Sequence, residues 1–331
     1  MAKIPTNELL DSFFASTDGA KYANHRKIIK ETQLYAYELK IGKELIDMDA
    51  DDLIGFFSEM DTRRNGAESN IIASNSTLDQ VIVIYRKIFD YYIDEYELIR
   101  NPFRDKKLKG TELIKNISKG RERFNWDMVE DIIRKLHKDF PQERADYIEL
   151  IMLLYYNGFE NATEIVELQE KDINHKNKTA ALSGKTVQLS DRCYTLLVNF
   201  NQMETLEGWR NYVMASWHGS YFKFIVQANR AYDIDDRPLR AMRENINVNL
   251  CKYVNNQYNT HINYSNLYCL GFYDFMVKKY GSEEVDRMLL SNYNSDDVRA
   301  LQQAASEYGF RNDNIAHLKR RLRMFVKIDD E

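Results

Sequence analysis

Between Arg100 and Arg123 the chain reads RNPFRDKKLKGTELIKNISKGRER. Nine basic side chains (Arg100, Arg104, Lys106, Lys107, Lys109, Lys115, Lys119, Arg121 and Arg123) stand there against Asp105, Glu112 and Glu122. Residues 311–327 repeat the pattern, with six basic groups, among them Lys319, Arg320, Arg321 and Arg323, against Asp313 alone. The two stretches carry +6 and +5 in a protein of net charge −5, so the other residues sum to −16. Ammonium and guanidinium groups at this density suit phosphate oxygens, which arginine can grip through two parallel hydrogen bonds. A single charge run is as often only a solvated face, as the seven acids of ELIDMDADDLIGFFSEMD (44–61) illustrate. Two basic runs in an acidic chain are harder to dismiss, although net charge alone argues weakly against nucleic acid.

Other chemistry finds less support. The six histidines show no HExxH-type spacing, so no metal site is expected, and nothing points to a cofactor or a small-molecule substrate. Cys193, Cys251 and Cys269 are odd in number, scattered and without CxxC spacing, which suits reduced thiols in a cytoplasm. No run of about 18 apolar residues occurs, and MAKIPTNELLDSFF lacks a secretory core, so neither a membrane span nor a leader is expected.

The elements that must carry these groups are mostly helices. At 331 residues, 44% hydrophobic, with 13 Gly and 4 Pro, the chain is long enough for two helix-rich domains. Helical patterns cover 25–45 and 49–60, followed by a loop, TRRNGAESNIIASNS. From Thr77 the apolar residues fall at 78, 81, 85, 88, 92 and 96, a helix that Asn75 or Ser76 would cap. NPF ends this unit, and the basic segment follows as an extended link with one short helix, TELIKNIS. A capped helix, FNWDMVEDIIRKLHKDF, opens the second unit, and the next runs from Pro141 to Gly158. A hairpin of two strands is expected over 173–189. Helices follow around 190–205, 209–230, 239–257, 264–280, 283–291 and 295–308, then a basic C-terminal helix.

YYIDEYELIRNPF, FNWDMVEDII and LLYYNGFENATEIVELQEKDINHKNKT, in this order and spacing, make the chain resemble the tyrosine recombinase (phage integrase) family from about residue 20 to the end. Within it the likeness is greatest to the recombinase-derived lysogeny repressors of SPβ-like Bacillus phages. The resemblance implies a mainly α fold with a small β-hairpin or sheet, in a two-domain clamp. Residues 1–100 would form a helical core-binding domain, 101–122 a basic interdomain linker, and 123–331 an α+β catalytic-like domain. It also implies two phosphate-holding arginines, a hairpin lysine and a tyrosine nucleophile, because the phosphoryl transition state spreads charge over oxygens that guanidinium groups match.

The matching positions are largely substituted. After Gly158, where an arginine is implied, stand Phe159, Glu160, Asn161, Ala162 and Thr163, and no arginine occurs between Arg144 and Arg192. The HxxR positions read Ser265, Asn266, Leu267 and Tyr268; LLGH reads LLSN, from Leu289 to Asn292; Leu301 stands where the nucleophile would. A literal HxxR at His317–Arg320 has no tyrosine after it, and Tyr308 is one of 38 Tyr and Phe residues. Lys185, in SGKTVQL, fits the hairpin lysine, as a phosphate contact or a solvated charge.

The resulting expectation is a protein that is not an enzyme. It would bind double-stranded DNA at operator-like repeats, as a phage repressor in a bacterial cytoplasm, associated with the nucleoid. Lys106, Lys107, Lys109, Arg121 and Arg123 would hold backbone phosphates, with Lys185 and the C-terminal cations Lys319, Arg320, Arg321 and Arg323. Base edges would be read by Ser76, Thr77 and Gln80 at a helix start, and by Arg240 and Arg243, one turn apart; ordinary surface charge also explains the last two. The C-terminal helix, with Leu318, Leu322, Phe325 and Val326 along one side, is either packed on its own domain or a homodimer contact, and a membrane-surface role is disfavoured. An active but divergent recombinase is the alternative, and an accessory protein that never touches DNA is a third reading.

Overall fold

In a computed structural model the chain is mainly helical with small antiparallel sheets. The structure describes residues 6–25, 34–64, 67–68, 71–72, 76–96, 101–109, 112–113, 116–117, 122–182, 184–206, 211–250, 254–258, 262–290, 294–310, 315–323 and 325–326. Two compact units result, Met1–Glu122 with Ile328–Glu331, and Arg123–Lys327.

Four helices organise the first unit: α1 (Thr6–Ala15), α2 (Leu34–Ile41), α3 (Ala50–Thr62) and α4 (Ser76–Tyr96). The three-and-four spacing expected of α4 places Val81, Tyr85, Ile88 and Tyr92 in the core with Phe13, Phe56 and Phe57. The described residues between 101 and 122 do not run as an extended link. Asn101 accepts from Phe103 N at 2.9 Å and donates to Asp90 at 2.8 Å, which folds the NPF turn back onto α4. Phe103, Leu108, Leu113 and Ile117 then enter the same core, and burying apolar side chains at this spacing is what fixes the segment.

The second unit is built round α6 (Gln142–Asn157), which is buried on almost every side from Ala145 to Tyr155, as its continuous apolar sequence demands. Against it pack α5 (Trp126–Asp139), α8 (Asp191–Gln202), α9 (Leu239–Leu250) and α10 (Tyr264–Tyr280). Helix α6 stops at Gly158, whose φ of 124° is open to glycine alone at little cost. A five-residue helix, α7 (Ala162–Val166), follows. Next comes a three-stranded sheet, β1 (Ile173–Asn174), β2 (Thr179–Leu182) and β3 (Lys185–Gln188), one strand more than the hairpin expected.

Residues 209–230 correct the helix expected there. They form a hairpin, β4 (Tyr212–Ser216) and β5 (Lys223–Gln227), paired from Tyr212–Gln227 to Ser216–Lys223. Its loop holds His218 and Gly219 at φ 46° and 71°, left-handed positions that no helix continues through. The β-branched and aromatic residues either side favour strands, a preference the helical pattern had masked.

The C-terminal elements are α11 (Ser282–Leu290), α12 (Ser295–Tyr308) and α13 (Ile315–Leu322), packed on one another and, for all three, on α10. Gly271 of α10 lies so close to the end of α6 that a Cβ would stand 1.8 Å from Tyr156 O and 2.5 Å from the Tyr308 hydroxyl.

Candidate nucleic-acid interface

In the first unit the basic run becomes two successive 3-10 turns, Pro102–Arg104 and Lys106–Leu108, each capped by the side chain before it, Asn101 and Asp105. Leu108 is fully buried beneath them, so Arg104, Lys106, Lys107 and Lys109 are exposed on a backbone that is itself anchored. Lys107 is not an open cation: its Nζ lies 2.7 Å from an Asp51 carboxylate oxygen, which raises its pKa, so the acidic run 44–61 partly neutralises the basic one. Ser76, Thr77 and Gln80 form the first turn of α4 and Arg123 lies in a two-residue strand; their side chains, with Asn75 and Arg121, fall outside the described residues.

In the second unit the turn after Gly158 closes on itself. Asn161 caps α7 by accepting from Thr163 N at 2.9 Å, and Glu164 accepts from Glu160 N at 2.7 Å. Lys185 lies inside this turn with its side chain 4% exposed, its Nζ 3.2 Å from Glu164 and donating to Gly158 O at 2.7 Å. Buried and paired, it is neither a solvated hairpin charge nor an open phosphate ligand, because an incoming phosphate would have to replace Glu164. Phe159 is wholly buried.

Across the turn, α9 presents Arg240 and Arg243, both exposed, to a groove of about 570 Å³ that Asn161, Thr163, Asn247 and Tyr264 also line. Arg240 Nε pairs with Glu244 at 2.8 Å, and Arg243 Nη1 reaches Thr163 Oγ1 at 3.4 Å. Arg243 therefore stands beside the segment that has no arginine of its own. Arg321 does the same at the other substituted segment, donating to the Ser265 hydroxyl and lying 5.7 Å from the centre of the Phe310 ring. The sequence named both arginines as DNA contacts but not these placements, since each reaches its segment from a distant element.

The C-terminal cations need correction. Leu318, Leu322, Phe325 and Val326 are covered within their own unit, so α13 is not a spare arm for a second copy. Lys319 is 2% exposed; burial and the charges of Arg323 and Arg287 lower its pKa, while Asp297 acts to raise it. Arg323 Nε donates to Leu289 O at 2.8 Å, and Arg321 is held by Ser265. These three are packing and hydrogen-bonding groups of the unit; the Arg320 side chain lies outside the described residues.

Tyr308 is held inward as well. Its hydroxyl donates to Tyr156 O at 2.8 Å, and desolvation keeps its pKa well above 10. Cys193 and Cys269 are buried thiols whose pKa burial raises, and Cys251 lies outside the described residues. His137, Asp146 and Glu149 come within 4.8 Å of one another, but His137 Nε2 lies 2.6 Å from Glu149 and Arg192 pairs with the same carboxylate. With Arg192 also 2.9 Å from Glu130, the cluster reads as an ion-pair network joining α5, α6 and α8. No described helix is long and apolar enough to cross a membrane.

No protein family and no curated protein matches the chain by sequence. Solved structures similar to it include the Tn1549 transposon integrase in complex with a circular-intermediate DNA, 12% identical with a TM-score of 0.33 over 91% of this chain and 99% of that one. A further form bound to circular-intermediate DNA is 11% identical and one bound to transposon right-end DNA 10% identical, each with a TM-score of 0.33 over 95% of this chain and 98% of that one. The expectation that the chain is not an enzyme does not stand: the solved structures similar to it are of integrases, and substituted positions alone do not show inactivity.

Proposed function

We propose that the chain is a sequence-specific regulator that binds duplex DNA, occupying operator-like repeats as a prophage repressor. The observation that carries this reading is the set of exposed cations Arg104, Lys106 and Lys109 on capped turns anchored by Leu108. Rigidly placed cations hold backbone phosphates and fix register without reading sequence. Reading falls to the first turn of α4 and to Arg243, whose exposed guanidinium has, among the described residues, a long contact to Thr163 alone. A guanidinium of this kind can pair with the O6 and N7 acceptors of guanine in the major groove.

The residue resemblance favours a second reading, a divergent active recombinase, through Arg243 at Thr163 and Arg321 at Ser265. One set of measurements separates the two. Selection from random duplexes, followed by footprinting across a salt series, should recover a specific site. With Arg104, Lys106 and Lys109 as phosphate contacts, log K should fall against log salt with a slope of about −3 or steeper. Equal affinity for all duplexes, or a slope near zero, overturns the regulator. A nicked suicide substrate of the recovered site that traps a covalent protein–DNA adduct selects the recombinase. Tyr308→Phe should alter neither footprint nor adduct, since that hydroxyl is spent on Tyr156 O.

A further inference from the structure

A second cavity, of about 380 Å³, opens between the end of α6, strand β3 and helices α10 and α12. It is separate from the cationic surface, and no residue assigned to DNA above lines it. Its walls are mostly apolar, with the rings of Tyr156, Phe275 and Tyr308 and the methyl groups of Val187. The Phe275 and Tyr308 ring centres lie 5.5 Å apart, which makes a continuous aromatic wall.

Asp274 is set in that wall, and Asn157, Thr186, Gln188 and Ser190 add neutral polar side chains to the lining. One carboxylate oxygen, Oδ2, accepts from the Tyr156 hydroxyl at 2.6 Å, while Oδ1 has no hydrogen-bond partner among the described residues. Burial raises the Asp274 pKa, the mark of a carboxylate short of compensating charge. Two other charged residues line the cavity. Glu307 is already ion-paired with Lys279 and accepts from Gln303 at 3.0 Å. Lys278 is exposed, one turn beyond Asp274, and its charge acts on that carboxylate from the rim.

Concave, largely apolar space of this size with one undercompensated acid is the usual form of a small-ligand site. The acids of the lining outnumber its base, which disfavours an anion. A single available carboxylate oxygen among rings is a poor cage for a hard metal ion, which needs several oxygens. An organic ammonium group suits all of it: the cation meets Asp274, aromatic faces attract it, and an apolar body covers Val187 and Phe275. We propose that this cavity binds a small organic cation, an amine carried on an aromatic or aliphatic body, with Asp274 as its counter-ion. Lys278 then acts as a built-in competitor at the rim.

The test titrates the full chain with benzylammonium and with benzyl alcohol, its neutral counterpart of the same shape, by calorimetry or ligand-observed NMR. Wild type should bind benzylammonium saturably and about tenfold more tightly than the alcohol, the ratio expected of one added charge contact. Asp274→Asn, which can still accept from Tyr156, should bring the two probes level. Lys278→Gln alters an exposed side chain and should tighten benzylammonium severalfold while leaving the alcohol unchanged. The proposal falls if neither wild type nor Lys278→Gln binds saturably, if both probes bind wild type equally, or if a folded Asp274→Asn variant keeps the preference. Should Asp274→Asn fail to fold, the probe ratio in wild type and Lys278→Gln decides alone.

Discussion

The two basic segments look alike as strings of letters and differ as objects. In the first, Arg104, Lys106 and Lys109 are in water on short turns, and Lys107 is lent to Asp51. In the second, Lys319 is buried and Arg321 and Arg323 are bonded to Ser265 and the Leu289 carbonyl. Local geometry makes the difference. A 3-10 turn of three residues anchored by one leucine leaves its lysines outside, whereas an amphipathic helix pressed on three others draws cations next to its apolar stripe inward. Charge counted along a sequence therefore overstates the surface available to a polyanion.

The sharpest way to break this contrast is Lys319→Glu. Burying a carboxylate there, opposed by Asp297 but favoured by Arg323 and Arg287, should cost about 1–3 kcal/mol in denaturant melts. The native lysine also sets a pH dependence. Its folded pKa is depressed below 10.5, so over that window the unfolded chain binds more protons and this residue's contribution to stability rises with pH. Lys319→Met should flatten that rise; an unchanged pH profile would mean that Lys319 is solvated.

Next in size is the combined reversal Lys106→Glu, Lys107→Glu and Lys109→Glu. It should leave the melt nearly in place, weaken every duplex together and flatten the salt slope by about 2–3. A loss confined to specific sites would assign these lysines to base reading instead. Arg243→Ala and Gln80→Ala should each cost about 1–3 kcal/mol of specific binding and little non-specific binding. If both bind like wild type, the reading surfaces lie elsewhere. The smallest effect is expected of Lys107→Ala alone, at most ~1 kcal/mol in stability, because an exposed pair with Asp51 contributes little. A large drop in affinity from this one change would show that DNA displaces Asp51.

Much of the helical frame was legible because its signals are local. Asn125 before Trp126, Pro141 before Gln142 and Gly158 after Asn157 bound helices where cap chemistry says they should. The β4–β5 hairpin was not: a helix was expected around 209–230, and only the turn at His218 and Gly219 marks the reversal locally. The burial of Phe103, Leu108, Leu113 and Ile117 was also hidden: they are too widely spaced to announce a core contact inside a run of lysines. The candidate site was the least legible part. Lys185 read as a surface charge because its partner, Glu164, lies 21 positions away. Arg243 and Arg321 meet their segments only through tertiary packing.

Gly271 carries a consequence for how freely this chain can vary. The atom that would collide with Tyr156 O is Cβ, which every other residue shares, so intolerance at this position should not scale with side-chain size. Alanine, the mildest replacement in most helices, would be refused nearly as firmly as tryptophan. At Gly184, by contrast, nothing lies within 4 Å of a Cβ and only the φ of 86° matters, so asparagine should pass where valine does not. In a saturation library the first position would appear as an empty row and the second as a graded one. Holding α6 and α10 this close thus leaves no choice at one residue.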